Sequence, residues 1–458
     1  MLALYKRYYG GKDRKMKKII ILSLGLFWLL LSVAAYGVDT DASNVYWKWT
    51  TGGLWMNTDE WGWSGISPEW GVPGWVSGNP NNTTGSTDPN WNQGRAVIDG
   101  GSAVVTPASR PDGVVERVYL GGGGGAGLDI SGDITMKYLW IGKWLSTDNG
   151  TVNQTAGNVV IQNKAYLGDS GSAIYNLSGG SLTFVNDKIY IGNNSGASCV
   201  FNQTGGSVTF INSGPSYLGN GAGSLGTYNL SSGTFSFNRP SSFWVGNDGI
   251  GVFNQTGGSA FIKLLRIGSS DSNSIYTISD GTFSASLVKC YYGVFKIIGT
   301  GPDSIITNSF IVDNGGKLKL ELGASGCTMI DVNGTKANTY YGVSLRDATI
   351  DVSTASNYAG TIGSHYDVIW SATTIDTYRL KIRDDSSTHD FKYVVVDGAA
   401  NGYSGGKVLR LIETTGHCGD ATHSYPQGDI DQNCRVDFDD FVIIAENWAY
   451  DGAPFSGN

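Results

Sequence analysis

Apolar and polar positions alternate in short runs through the middle of the chain. Leu182-Thr-Phe184, Val208-Thr-Phe210 and Phe235-Ser-Phe237 each set one side chain inward and the next outward, as a strand requires. Ahead of each run stands a six-residue phrase. Its copies are Val152-Asn-Gln-Thr-Ala-Gly, Tyr175-Asn-Leu-Ser-Gly-Gly, Phe201-Asn-Gln-Thr-Gly-Gly, Tyr228-Asn-Leu-Ser-Ser-Gly, Phe253-Asn-Gln-Thr-Gly-Gly and Tyr276-Thr-Ile-Ser-Asp-Gly. A fixed return of about 25 residues marks stacked units, none of which can bury its apolar face until a neighbour covers it. A second apolar residue meets a glycine in each unit: Leu167-Gly168, Ile191-Gly192, Leu218-Gly219, Val245-Gly246 and Ile267-Gly268. Leu120-Gly121, Ile141-Gly142 and Tyr292-Gly293 extend the set.

Strands this short, broken by Gly, Asn and Ser and lacking any period of 3.6, predict an all-β fold: a right-handed β-solenoid with coils of about 25 residues. A propeller blade would need roughly 40 residues and four strands. Asn153, Asn176, Asn202, Asn229 and Asn254 are placed to stack as a ladder of amides. The phrases alternate between a Phe-Asn-Gln-Thr and a Tyr-Asn-Leu-Ser type. Either a Tyr hydroxyl in one coil meets a Gln amide in the next, or the alternation is an inherited two-coil duplication without energetic meaning.

The flanks differ in composition. Residues 1–37 are predicted to be a signal peptide: Lys17 and Lys18 precede the apolar run Ile19 to Ala35, and Ala35-Tyr36-Gly37 supplies small residues for cleavage. Met16 is an alternative start, and a retained anchor is the rival reading. Residues 38–117 hold a Trp-rich N-terminal cap and first coil, with Trp47, Trp49, Trp55, Trp61, Trp63, Trp70, Trp75 and Trp91. These rings serve either to cover an open solenoid end or to stack on sugars. Residues 118–305 carry the solenoid repeats. Residues 306–416 keep strand patterns without the phrase and are expected to form irregular terminal coils and an exit cap, with hairpin-type turn signals at Asp397-Gly398 and Gly405-Gly406.

Removing seven Lys/Arg and one Asp with the signal takes the formal charge from −8 to −14. Such a chain is a poor partner for nucleic acid or anionic lipid. With Gly at 67 of 458 residues and only 15% charged, it reads as a secreted or cell-surface protein with no membrane span once the signal is removed.

Chemistry concentrates in the tail, residues 417–458. Asp429-Ile-Asp431-Gln-Asn433-Cys-Arg435-Val-Asp437-Phe-Asp-Asp440 sets oxygen donors at loop positions 1, 3, 5, 9 and 12, with the Arg435 carbonyl at 7. That spacing wraps a 12-residue loop around Ca2+. Phe438, Phe441, Ala445 and Trp448 then form one stripe of an amphipathic helix. This segment resembles a type I dockerin repeat, a module that binds cohesin domains. Its Cys418-Gly-Asp420 frame and Ala445-Glu-Asn-Trp448 look like the C-terminal modules of secreted planctomycete-type proteins. The resemblance makes Asp429, Asp431, Asn433, Asp437 and Asp440 calcium ligands and implies a cohesin-like scaffold or cell-surface component as partner. The chain departs from the pattern at loop position 6, where Cys434 replaces the usual Gly, at positions 10 and 11, and in having no second repeat. Cys418, ahead of the loop, and Cys434, within it, are expected to form a disulfide. Of the five cysteines, Cys199, Cys290 and Cys327 read as small buried apolar residues. The repeat phrase is also similar to that of autotransporter-associated repeat proteins.

A non-catalytic display or adhesion protein is the main expectation; a polysaccharide lyase, glycoside hydrolase or carbohydrate-binding protein on the same scaffold is the alternative. Between Gly121 and Leu320 there is neither Glu nor His, and the few Asp sit mostly in turn sequences. Sugar hydrolysis usually requires two carboxylates facing one bond.

Overall fold

A computed structural model describes residues 44–47, 53–54, 95–98, 101–105, 115–121 and 125–414, apart from 187, 212–213, 270–272, 335–341 and 385–388. It is all-β, with stacked coils roughly 25 residues apart and about 1% helix. Each coil runs through three parallel sheets in turn. The phrase forms the first (Ser172–Leu177, Ser198–Gln203, Leu225–Leu230). The alternating run forms the middle one (Ser181–Phe184, Ser207–Phe210, Thr234–Phe237). The residues before the apolar-Gly pair form the closing one (Ile189–Ile191, Ser216–Leu218, Phe243–Val245).

Register is kept residue for residue: Tyr175 lies beside Phe201, Phe201 beside Tyr228 and Tyr228 beside Phe253. The rings of Tyr175, Phe201, Tyr228, Phe253 and Tyr276 stack at centroid distances of 4.8, 4.6, 4.9 and 4.6 Å, with planes within 7° of parallel. This is the strand spacing of about 4.8 Å expected for successive coils. All five are buried, and each such burial is worth about 1.5–3 kcal/mol.

Corners use glycine where nothing else fits. At Gly219, φ is +74° and an added Cβ would lie 2.1 Å from the Ile250 carbonyl oxygen of the next coil. The same left-handed conformation occurs at Gly121, Gly142, Gly168, Gly192, Gly246 and Gly268. Gly293 breaks the expected set. Cys290 takes the inward position beside Ile267, and Val294 pairs with Ile275, so Gly293 opens a phrase-sheet strand instead of closing a coil. The corner is short here: only Tyr291 and Tyr292 separate Cys290 from Gly293, where six residues separate the equivalent Ile267 and Ser274 in the coil before.

Beyond Ile306 the parallel stacking continues through Lys317–Leu322, Thr349–Thr354 and Lys381–Asp384. It ends where Lys407–Thr414 runs antiparallel to His365–Ser371 and pairs with Asp390–Asp397 as a hairpin. The Gly398 N–H donates to the Gly406 carbonyl at 2.9 Å to close the hairpin connection. The hairpin thereby covers a sheet edge that would otherwise offer unpaired backbone groups.

Candidate functional site

The calcium loop of Asp429, Asp431, Asn433, Arg435, Asp437 and Asp440, the Cys418–Cys434 pair, the Trp-rich segment's side chains and the signal all lie outside the described residues. Among the described residues no three His, Cys, Asp or Glu gather as a metal site, and no helix is long and apolar enough to cross a membrane. Cys199 and Cys290 are buried, and burial pushes their thiols up; Cys327, part-buried against the core, has its thiol pushed up to about 12. A thiol held neutral in this way is a poor nucleophile.

Inside the repeats, polar chemistry runs along the axis. Each phrase asparagine donates from Nδ2 to Oδ1 of the one before: Asn176 to Asn153, Asn202 to Asn176, Asn229 to Asn202 and Asn254 to Asn229, at 2.8–2.9 Å. The ladder ends on Asp129, which accepts from Asn153 at 2.8 Å. The Phe/Tyr alternation has an energetic meaning. Tyr175, Tyr228 and Tyr276 hydroxyls donate to Gln154, Gln203 and Gln255 of the preceding coils at 2.6–2.7 Å. Each Gln Nε2 donates in turn to a corner glycine carbonyl and to the Ser181, Thr234 or Thr282 carbonyl of the next coil. Burial pushes all three phenols far up, so they remain neutral donors. In the intervening coils Leu177, Leu230 and Ile278 take the glutamine's place and bury a side chain with no polar atom.

One face turns its aromatic side chains outward. On the closing sheet Tyr119, Trp140, Tyr166, Tyr190, Tyr217 and Trp244 occupy successive outward positions in register, Tyr119 itself only 4% exposed beneath Lys143 and Trp144. The first five stack at 4.9, 5.7, 5.0 and 5.4 Å, with interplanar angles of 6–17°. Arg266 and Lys289 continue the column. The Arg266 guanidinium lies 5.0 Å from the Trp244 ring centre and donates to Ser242 Oγ and the Tyr291 hydroxyl. Lys289 Nζ sits 4.3 Å from the Tyr291 ring and 3.5 Å from Asp313. At the other end Lys143 Nζ lies 4.3 Å over Tyr119 and 4.9 Å over Trp140, beside the exposed Trp144.

A titratable cluster sits at the exit cap. Glu413, only 4% exposed, accepts from the Tyr358 hydroxyl at 2.8 Å and meets His389 Nδ1 at 2.6 Å. Tyr366 donates to Tyr358 at 2.9 Å. Nearby, Asp367 accepts from Arg410 at 2.6 and 3.1 Å and from Tyr403 at 2.8 Å. Burial pulls the Asp367 carboxyl up. The hydrogen bonds from Arg410 and Tyr403, with the Arg410 charge, outweigh that and hold it below the usual carboxylate range. Tyr403, half-buried and bonded to that carboxylate, is pushed up to about 12. Both carboxylates therefore have fixed partners that join Tyr358, His365–Ser371, His389 and Lys407–Thr414 into one latch.

The outward column has a signal in the sequence that the apolar-Gly pairs conceal: the residue before each pair is Tyr119, Trp140, Tyr166, Tyr190, Tyr217 and Trp244 in turn. A second corner ladder was equally legible in the residue after each glycine. Asn193 donates to Asp169 at 2.7 Å, and Asn220 to Asn193 at 3.1 Å. No protein-family model and no curated protein matches this chain.

Proposed function

We propose that the chain is a secreted, non-catalytic β-solenoid that displays or spaces, held to a cohesin-like scaffold or cell-surface component by a calcium-binding tail. The observation that supports a spacer is the direction of its polar chemistry. Asparagine ladders, Gln–Tyr bonds and ring stacks all link coil to coil along the axis. Such contacts stiffen a rod without needing a substrate.

In this reading Asp429, Asp431, Asn433, Asp437, Asp440 and the Arg435 carbonyl hold Ca2+. Four of those ligands are carboxylates that repel one another without a cation, so calcium orders the loop by binding its folded form. Pull-down with the chain from secreted material, in calcium and in chelator, tests this. Partner capture should require calcium and vanish in Asp440→Ala, which removes the ligand at position 12, while Asp439→Ala retains it. Capture indifferent to chelator would overturn the attachment.

A polysaccharide-active enzyme is the second reading, and the Glu413 and Asp367 cluster favours it. Reducing-sugar or unsaturated-product formation that disappears in Glu413→Gln would establish it over the first.

A further inference from the structure

We propose that the outward column of the closing sheet is a binding track for an anionic polysaccharide, such as a polyuronate, lying along the solenoid axis. This ligand assignment rests on the rod alone and does not depend on the tail.

The outward positions elsewhere are mixed and carry no continuous aromatic line: Val160, Thr183, Thr209, Ser236 and Phe261 on the middle sheet, and the asparagine ladder beside Ile174 and Val200 on the phrase sheet. Only the closing sheet sets Tyr119, Trp140, Tyr166, Tyr190, Tyr217 and Trp244 in line. Cross-strand stacking accounts for pairs of rings, but not for the cations that meet the line at both ends, Lys143 at one and Arg266 and Lys289 at the other. These cations share one face of a chain whose formal charge is −8. Of the carboxylates beside them, Asp169 accepts from Asn193 and Asn194, and Asp313 pairs with Lys289, so an anionic ligand competes with Asp313 for that cation.

The ring orientation selects the ligand. Because the rings lie nearly parallel and cover one another's faces, their rims are what remains for solvent. An aromatic rim is the positive edge of the ring quadrupole, and here it carries phenol O–H and indole N–H donors. Donors, positive edges and cations together suit a chain rich in carboxylate or sulfate. A neutral glycan that stacks on ring faces, or a single-stranded nucleic acid whose bases do so, finds those faces occupied. Eight positions, separated by seven steps of about 4.8 Å, span roughly 34 Å, a track for a polymer and not for a single sugar.

Affinity electrophoresis of the full chain in chelator, so that calcium at the tail plays no part, tests the proposal with polygalacturonate in the gel and dextran as the neutral control. Polygalacturonate should retard the chain at low salt, with the effect lost by about 0.5 M NaCl, and dextran should not. Arg266→Gln combined with Lys289→Gln should weaken binding about tenfold. Tyr190→Phe with Tyr217→Phe, which keeps the stack and removes two rim donors, should weaken it less. Near-UV circular dichroism confirms that each variant retains its ring packing. Equal retardation by dextran, binding unchanged in both double variants, or tighter binding of a single-stranded oligonucleotide than of polygalacturonate would each overturn the assignment.

Discussion

The phrase repeats and the exit region bury polar groups by opposite means. In the repeats Gln203 finds a tyrosine hydroxyl and two carbonyls supplied by neighbouring coils, and no charge is involved. In the exit region the coils no longer match in sequence, and charge takes over. Asp351, 2% exposed, is held by Arg383 at 2.9 Å and Lys319 at 3.7 Å. Asp331 keeps one buried oxygen without a hydrogen-bond partner. A periodic sequence can satisfy a buried amide with the next copy of itself; once the period fails, each polar group needs its own arrangement, and ion pairs carry a desolvation cost that neutral ladders avoid.

The strongest way to break the repeat side of this comparison is to interrupt its ring stack. Phe201→Ala removes a buried ring whose neighbours Tyr175 and Tyr228 lie 4.8 and 4.6 Å away. It should cost about 3–5 kcal/mol in denaturant unfolding. A loss below 1 kcal/mol would mean the stack contributes little.

A finer test addresses the Gln–Tyr bond. Gln203→Leu leaves the buried Tyr228 hydroxyl without an acceptor and should cost about 1–3 kcal/mol. Adding Tyr228→Phe makes both positions apolar, as Leu177 beside Phe201 already is in the coil before, and should restore most of that loss. Of the two carbonyls that Gln203 releases, that of Gly206 keeps the Thr234 N–H as a donor at 3.0 Å. Strict additivity of the two substitutions would show that the bond is dispensable.

The solenoid, its asparagine ladder and the order of its aromatic stack were legible because identical positions recur, and recurrence reports contact between copies directly. Gly293 was misassigned for the same reason: Tyr292-Gly293 imitates the apolar-Gly pair, but the corner after Cys290 is shortened, so this glycine already stands in register with the next phrase-sheet strand. The exit latch was not legible. Tyr358, Asp367, His389, Arg410 and Glu413 are up to 55 residues apart along the chain, share no motif, and meet only because one strand turns antiparallel. The outward column was readable in principle, but its residues fall beside a glycine pattern that had already explained the corner.

The smallest effect separates the two regions by pH. In the latch, Asp367 sits below its ordinary range because Arg410 and Tyr403 favour the carboxylate. Its contribution is therefore present above the unfolded value of about 3.9 and lost as pH falls through the lower folded value. In the repeats, Asp169 is displaced the other way: burial raises it, against the hydrogen bond from Asn193 and the charge of Lys143. The folded form then holds the proton more readily than the unfolded one, so acid favours the folded repeat at that site. The charge of His365 also faces Asp367 and lowers it in the same direction. Hydrogen exchange measured from pH 5 to 2.5, corrected for intrinsic rates, should show protection falling in Asp390–Asp397 and Lys407–Thr414 before it falls in Ser172–Leu177 and Ser198–Gln203. Asp367→Asn should remove much of that early loss by starting from the weakened state. If both regions lost protection together, the division between neutral ladders and a charged latch would not describe how this molecule holds its ends.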